Sequence, residues 1–345
     1  MPDALTMGRK PETMPSVQKV ARFMLAFVLY STLFLDRWEY SKEFQTNPDS
    51  WMDVVSGTAV APQQYRIGVV WTADVLRRHA HLALRHGFLL IDAFSAVVAV
   101  YLLFSLFVRT RAYLAASESR RWFGAAAFVF LVQYYFAWIA WYQRPETLAS
   151  LGILALTLWL LSVRLPLPRT VSIVVTVMAM LGLSAIQGFI RPDVIVAAHL
   201  GIFLVCLTRW GDGFSIPRIA QAVTSAIAVL VAGGTQYYLM HVVYPHASYG
   251  TTPVFELVLN LTRPIRWASF VPFMVPWAWL MTALRRWRLV AEAPGVALAA
   301  GSAIYAVMWF VVGGIDEVRI FLPYGVALVP LTCACAVQQF VSERG

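Results

Sequence analysis

The sequence predicts an all-α, polytopic integral membrane bundle of about ten transmembrane helices. Three observations carry that prediction. Of 345 residues, 59% are hydrophobic and only 13% are charged, with a mean hydropathy of +0.66; a soluble domain carries about twice that share of charge. Apolar runs of about 20 residues recur along the chain, each long enough to cross a bilayer as a helix. Backbone groups in lipid must find partners within their own segment, which selects helices for such runs.

Taken in order, residues 1–19 are polar, contain Pro2, Pro11 and Pro15, and read as a cytoplasmic tail. Residues 20–340 then form a single transmembrane domain, and 341–345 a second short tail. Span 1 covers about 20–36 and is retained, because no A-x-A-like cleavage site follows it. A long outer loop, 37–86, holds Asp36 at its edge and Glu39, Glu43, Asp49 and Asp53 within it. Charges at this density belong outside lipid. Within the loop, Ile67–Arg85 reads as an amphipathic interfacial helix: Ile67, Val70, Trp71, Val75 and Leu82 share a stripe, and Asp74 and Arg78 are spaced i, i+4. Spans 2 to 7 follow at 87–108, 122–142, 147–163, 170–190, 194–208 and 219–243. A second outer loop, 244–264, precedes spans 8 to 10 at 265–284, 295–314 and 320–340.

An even span count returns both termini to one side. With the N-terminus inside, inner loops carry about 16 basic residues and outer loops about 11, of which Arg66, Arg77, Arg78 and Arg85 belong to the first loop. This favours a multi-pass protein of a bacterial cytoplasmic membrane with both termini cytoplasmic. The net charge of +9 sits between apolar runs, so topology and contact with anionic membrane lipids account for it, and no nucleic-acid partner is expected. Cys206, Cys333 and Cys335 lie inside apolar runs and suit packing rather than disulfides or zinc. His79, His81 and His86 lack a matching carboxylate set, so no metal-ligating residues are assigned. The sequence requires no cofactor and leaves a divalent metal open. No G-x-S-x-G, Walker, H-E-x-x-H or G-x-G-x-x-G pattern is present, which argues against a nucleotide-driven cytoplasmic enzyme.

The acids are not scattered. Outer turns carry Glu146, Asp193, Glu256, Asp316 and Glu317 beside those of the first loop, whereas inner loops carry only Glu118, Asp212 and Glu292. Arginine accompanies them: Arg144-Pro145-Glu146, Arg191-Pro192-Asp193, Arg263-Pro264-Ile265-Arg266, and Asp316-Glu317-Val318-Arg319. Proline at a first helical position and an acid in the first turn are ordinary helix-start chemistry. That explanation leaves the arginines unexplained, since they run against the positive-inside bias. Guanidinium suits phosphate, so Arg66, Arg78, Arg144, Arg191, Arg263, Arg266 and Arg319 are candidate phosphate ligands, with Glu146, Asp193, Asp316 and Glu317 as their companions. Asp36 and Glu39 lie three residues apart where span 1 ends and share a helical face; a carboxylate at that boundary can act as a general base. The plainer reading is that they mark where the span leaves the membrane, beside Arg37 and Lys42. Inside the lipid, Asp92, His199, Gln133, Gln187 and Gln236 read either as functional groups or as interhelical glue.

Asp36 and Glu39 after span 1, the Ala-Pro-Gln-Gln-Tyr65-Arg66 run, the two Arg-Pro-acid turns and Asp316-Glu317-Val318-Arg319 together resemble the GT-C superfamily of integral-membrane glycosyltransferases. That resemblance implies a lipid-phosphate-linked sugar as donor and a catalytic carboxylate in the first outer loop, a role falling on Asp36 with Glu39 next. It implies transfer from a polyprenyl-phosphate carrier to a glycan, lipid or protein acceptor at the extracytoplasmic face. The chain lacks the large C-terminal periplasmic domain of many members. Other expectations are a transporter or flippase of a lipid-linked sugar, a polysaccharide polymerase or ligase, and a non-catalytic membrane subunit. Charges gathered at one face favour an enzyme over a transporter, whose site belongs near the bilayer midplane.

Overall fold

A computed structural model describes residues 15–140, 144–208, 213–247, 255–283 and 292–342. Most of both expected tails lies outside these residues, as do Asp212, Arg285, Arg286, Arg288 and part of the second outer loop. The described chain is all helical, with no strand among the described residues. Its helices are α1 (Pro15–Thr46), α2 (Met52–Ser56), α3 (Ile67–Ala80), α4 (Leu84–Val108), α5 (Arg111–Leu114), α6 (Glu118–Ala137), α7 (Glu146–Ser162) and α8 (Arg169–Ile190). They continue as α9 (Pro192–Thr208), α10 (Arg218–Tyr238), α11 (Leu257–Thr262), α12 (Trp267–Ala283), α13 (Ala293–Val312), α14 (Leu322–Ala327) and α15 (Val329–Ser342).

Six helices among the described residues are long and apolar enough to cross a membrane: Val17–Thr46, Leu84–Val108, Glu118–Ala140, Arg169–Ile190, Arg218–Val243 and Ala293–Val312. The chain is a multi-pass membrane protein by that measure. The bent pair Val318–Ala327 and Val329–Gln338, broken by 52°, makes a seventh if it counts as one span. The ten expected spans exceed this because α7, α9 and the described part of α12 have only 17 residues each, roughly 26 Å of helix against a hydrocarbon core of about 30 Å. In α12, Pro276 has no N–H to give the carbonyl of Pro272; the Tyr134 hydroxyl donates to that carbonyl instead.

The first loop differs most from expectation. Span 1 does not end at residue 36: α1 runs ten residues further. Tyr40 and Phe44 hold that extension by packing on Phe88 of α4, with ring centroids 5.4 and 6.3 Å apart. The remainder folds into a small apolar core of its own, which includes Trp51, Val54, Tyr65, Ile67, Val70 and Phe88. The Glu43 carboxylate accepts from the Ser50 hydroxyl at 2.8 Å and the Trp51 indole N–H at 2.9 Å. The expected amphipathic helix over 67–85 exists only as far as Ala80, as α3, with Arg85 already in α4, and its stripe is rotated. Ile67 and Val70 are buried with Val69 and Ala73, whereas Trp71 and Val75 are exposed. Close approach to α4 sets this face, since a Cβ on Gly87 would fall 2.9 Å from the Ala73 Cβ.

A larger core joins α1, α4, α6 and α7 to α13, α14 and α15. Helix α9 is clasped between α10 and α13. Where α9 crosses α13, Gly201 and Gly301 meet; a Cβ on Gly201 would stand 2.4 Å from the Ala297 carbonyl oxygen. No side chain fits there, and the two backbones touch.

The turns sort into two ends. The 63–66 and 244–247 segments meet where the Tyr65 hydroxyl donates to the Ala247 carbonyl at 2.5 Å. Arg66 reaches Glu146, and the amide of Glu256 donates to the Val311 carbonyl at 2.9 Å. At the opposite end, the Ser215 amide donates to the Leu161 carbonyl at 2.8 Å, and Arg111 pairs with Glu292 at 3.3 Å.

Candidate functional site

The site begins on α1. Thr32, Asp36 and Tyr40 recur every four residues, and all three are buried, Asp36 completely. Opposite them α4 presents Asp92, also buried, and the Tyr40 hydroxyl donates to its Oδ2 at 2.9 Å. The negative charges of Asp92, Asp36 and Glu146 all act on that hydroxyl. One carboxylate, Asp92, therefore binds the phenol directly, and two more, Asp36 and Glu146, act on it from a distance.

Arginine answers from the turns. Arg66, immediately before α3, donates to Glu146 Oε1 at 3.2 Å, with 19% of its side chain exposed. Glu146 opens α7, just ahead of the apolar stretch 147–163. Burial pushes its carboxyl up, but Arg66, with Arg319 and Arg191 beyond, outweighs that and holds it below the ordinary carboxylate value.

Arg191 ends α8 and is the largest fully buried side chain among the described residues. Its Nη2 meets Asp193 Oδ2 at 2.5 Å, donates to the Tyr305 hydroxyl, and its guanidinium lies 5.8 Å from the Trp309 ring centroid. Trp309 donates to Asp193 Oδ2 at 3.0 Å, and the Tyr305 hydroxyl donates to the Ile320 carbonyl at 2.8 Å. Asp193 stands in the first turn of α9, before the apolar stretch 194–208. Burial raises its carboxyl, yet Arg191 beside it, helped by Arg66, brings it down to about 2. Arg191 is buried and engaged by Asp193, Tyr305 and the Trp309 ring.

A second node ties the 256–266 segment to the turn before α14. Arg266 meets Glu256 at 2.7 Å, the Asn260 side-chain oxygen at 2.7 Å and Asp316 at 3.6 Å. Asn260, fully buried, donates to the Phe310 and Gly313 carbonyls. Arg319 holds Glu317 at 2.9 Å and acts at longer range on Glu146.

Of the residues expected from sequence, Arg66, Glu146, Arg191, Asp193 and Arg319 lie within electrostatic reach of one another, and Asp36 joins them only through Tyr40, on which both it and Glu146 act. Arg266 and Asp316 form the adjoining node, and Glu317 hangs from Arg319. Arg144 lies over the Trp51 ring at 5.1 Å. Three candidates fall away from the cluster. Glu39 is only half-buried while Tyr40, one residue on, faces Asp92. Arg78 and Arg77 both bind Asp74, at 2.6 and 2.7 Å, as a local helical triad. Arg263 is exposed at the end of α11 and forms no ion pair with a described residue.

The sequence reading passed over Tyr40, Tyr305, Trp309 and Asn260, and noted Asp92 without assigning it to the site. Two of these had a signal: an acid inside an apolar span is functional by default, and Tyr40 lies one helical turn from Asp36. Among the described residues, no three His, Cys, Asp or Glu side chains stand close enough to share a metal ion. The arrangement offers a buried carboxylate, Glu146, paired with the 19% exposed guanidinium of Arg66, a cation able to steady an anion. No family model matches this chain, and neither a curated protein nor a solved structure matches it significantly.

Proposed function

We propose that this protein is a GT-C-like membrane glycosyltransferase that moves a sugar from a polyprenyl-phosphate carrier to an acceptor hydroxyl at the extracytoplasmic face. The observation that carries the reading is the convergence of Asp36, Asp92 and Tyr40 with the Arg66–Glu146 pair at one end of the bundle. In this reaction the acceptor oxygen forms a bond to the sugar C1 as the bond from C1 to the carrier phosphate oxygen breaks. The acceptor proton passes to the Asp36 carboxylate, and the bonding electron pair leaves with the carrier phosphate. Arg66, the partly open cation of the cluster, meets that charge, with Arg319 behind it. Tyr40, one turn beyond Asp36 on α1, is itself anchored to Asp92 of α4. An apolar groove of about 600 Å³ between α1 and α6, lined by Phe27, Val28 and Val129 and reaching Ser31, suits the carrier's hydrocarbon chain. In this reading the ten apolar stretches lie in the membrane, with the short α7 and α9 held in the bundle by longer neighbours.

One observation favours a second reading. Arg191–Asp193 and Arg266–Glu256 are closed ion pairs, as a non-catalytic membrane subunit would have. A transfer assay separates the two. Membranes containing the protein, or its Asp36→Asn form, receive radiolabelled polyprenyl-phosphate sugars. Label reaching an acceptor with the native protein and not with the variant supports the enzyme. Equal transfer by both removes Asp36 as base, and no transfer across a broad donor panel supports the subunit.

A further inference from the structure

Helices α8, α9 and α10 are polar inside and apolar outside. Val174 and Met178 of α8 and Val223 and Leu230 of α10 are exposed. On the buried side of α8, Ser172, Thr176, Ser184 and Gln187 form one row, continued by Arg191 at the helix end. Gln221 and Ser225 of α10 and His199 of α9 join that row, each fully buried. The α8 row covers about 28 Å of helix, close to a hydrocarbon thickness of about 30 Å. It begins at Ser172, which lines a cavity of about 710 Å³ at the end of the bundle away from the carboxylates. It ends at Arg191, whose partner Asp193 keeps 14% of its side chain exposed.

The middle of the row is a directed hydrogen-bond chain. The Gln221 amide donates to Ser225 Oγ at 3.4 Å. Ser225 Oγ stands 3.3 Å from His199 Nδ1, and His199 Nε2 stands 3.1 Å from Ser184 Oγ. The Ser184 hydroxyl gives its hydrogen to the Met180 carbonyl at 2.8 Å, so it accepts from Nε2–H. Nδ1 is then the acceptor and takes the Ser225 hydroxyl hydrogen. On either side of this chain, buried polar atoms lack a partner among the described residues: Thr176 Oγ1 and Gln221 Oε1 toward the cavity, and both polar atoms of the Gln187 amide toward Arg191. Buried polar atoms are seldom left bare, and water is their ordinary partner where protein supplies none.

We infer that α8, α9 and α10 enclose a proton path across the bundle, with His199 as its relay and water joining its two interruptions. A proton passing from the Ser225 hydroxyl to Nδ1 is matched by one leaving Nε2 for the Ser184 hydroxyl, so only O–H and N–H bonds form and break. Water supplies the proton at one end and takes it up at the other, and a ring flip restores the first tautomer. Arg191 does not bar the exit, because Asp193 at 2.5 Å offsets its charge. The path is separate from the Asp36 cluster and does not depend on the proposed reaction. Interhelical glue is the rival account of the same groups, and proton flux separates the two.

The full-length protein is reconstituted into liposomes that trap a pH-sensitive dye, and a potassium potential set with valinomycin drives protons inward. The wild type is expected to acidify the lumen well above the rate of protein-free liposomes. His199→Gln keeps a hydrogen-bonding side chain but no relay, and should lower the protein-dependent flux about 10²-fold. Ser184→Ala should also lower it, whereas Ser184→Thr keeps the hydroxyl and should preserve it. Thr157→Val removes a buried hydroxyl bonded within its own helix, away from the path, and should leave the flux intact. Only variants with the wild-type size-exclusion profile are compared. Nitrogen-15 NMR of histidine-labelled wild type reads the chain directly, and His199 should carry its hydrogen on Nε2. Wild-type flux no higher than that of protein-free liposomes overturns the inference. So does undiminished flux in His199→Gln, an equal loss in Thr157→Val, or a hydrogen resident on Nδ1.

Discussion

Where α7, α9 and α13 present their polar turns, arginine meets carboxylate or aromatic ring: Arg66 with Glu146, Arg191 with Asp193, Arg266 with Glu256, Arg144 over Trp51. Where α8 and α10 begin, Arg164, Arg169 and Arg218 line a cavity whose described walls hold no acid. The residue type is the same and the burial differs. At the first end desolvation is severe, so each buried cation needs its own anion and the pairs become part of the fold. At the second end Arg164 and Arg169 are exposed and Arg218 is half-buried, so water takes over much of the solvation that burial removes at the first. A count of arginines therefore says little about anion binding; the fraction already neutralised by the protein says more.

The largest expected effect tests whether the first end is chemistry as well as structure. Asp36→Asn should lower sugar transfer by about 10²- to 10⁴-fold, as expected for loss of a general base, while the melting temperature changes little. Next, Arg191→Leu should cost about 3–5 kcal/mol in a detergent melt, because Asp193 keeps its charge and loses its cation. A loss close to zero would mean that this node is not the support it resembles.

Acidification should discriminate between the two ends as well. The Asp193 carboxyl is held at about 2 and Glu146 is also lowered, so both stabilise the fold most fully above the unfolded carboxylate range. The Asp193 contribution should be lost as pH falls from about 4 through about 2, visible as a falling melting temperature. In Arg191→Leu, without the cation that depresses Asp193, that acid-dependent fall should be much smaller. The smallest effect belongs to the second end, where Arg164→Gln should alter stability by less than about 0.5 kcal/mol.

The class of fold was legible because the recurrence of long apolar runs admits few alternatives in lipid. The six-helix outcome was less so, since hydropathy cannot distinguish a span from a 17-residue helix sheltered by neighbours. For the site, the Arg-Pro-acid turns were visible because charge at a turn breaks the topological bias. Their internal pairing was not, as Arg66 and Glu146 are 80 residues apart in sequence. The extension of α1 past Asp36 was hidden by its own charges. Arg37, Glu39 and Lys42 look like an exit from the membrane, yet Tyr40 and Phe44 keep that segment helical against Phe88. The rotation of α3 has the same character: Gly68 and Gly87 at its contacts choose its buried face, and neither weighs in a hydrophobic count.

The meeting of Gly201 and Gly301 has a mechanical consequence. Tyr305, one turn beyond Gly301, reaches Arg191, and Asp193 lies two turns before Gly201 on the partner helix. The crossing is thus the fulcrum of a pair of levers whose tips grip one ion pair. A single added methyl group at that fulcrum would spread the tips, loosening polar contacts that the new carbon never touches.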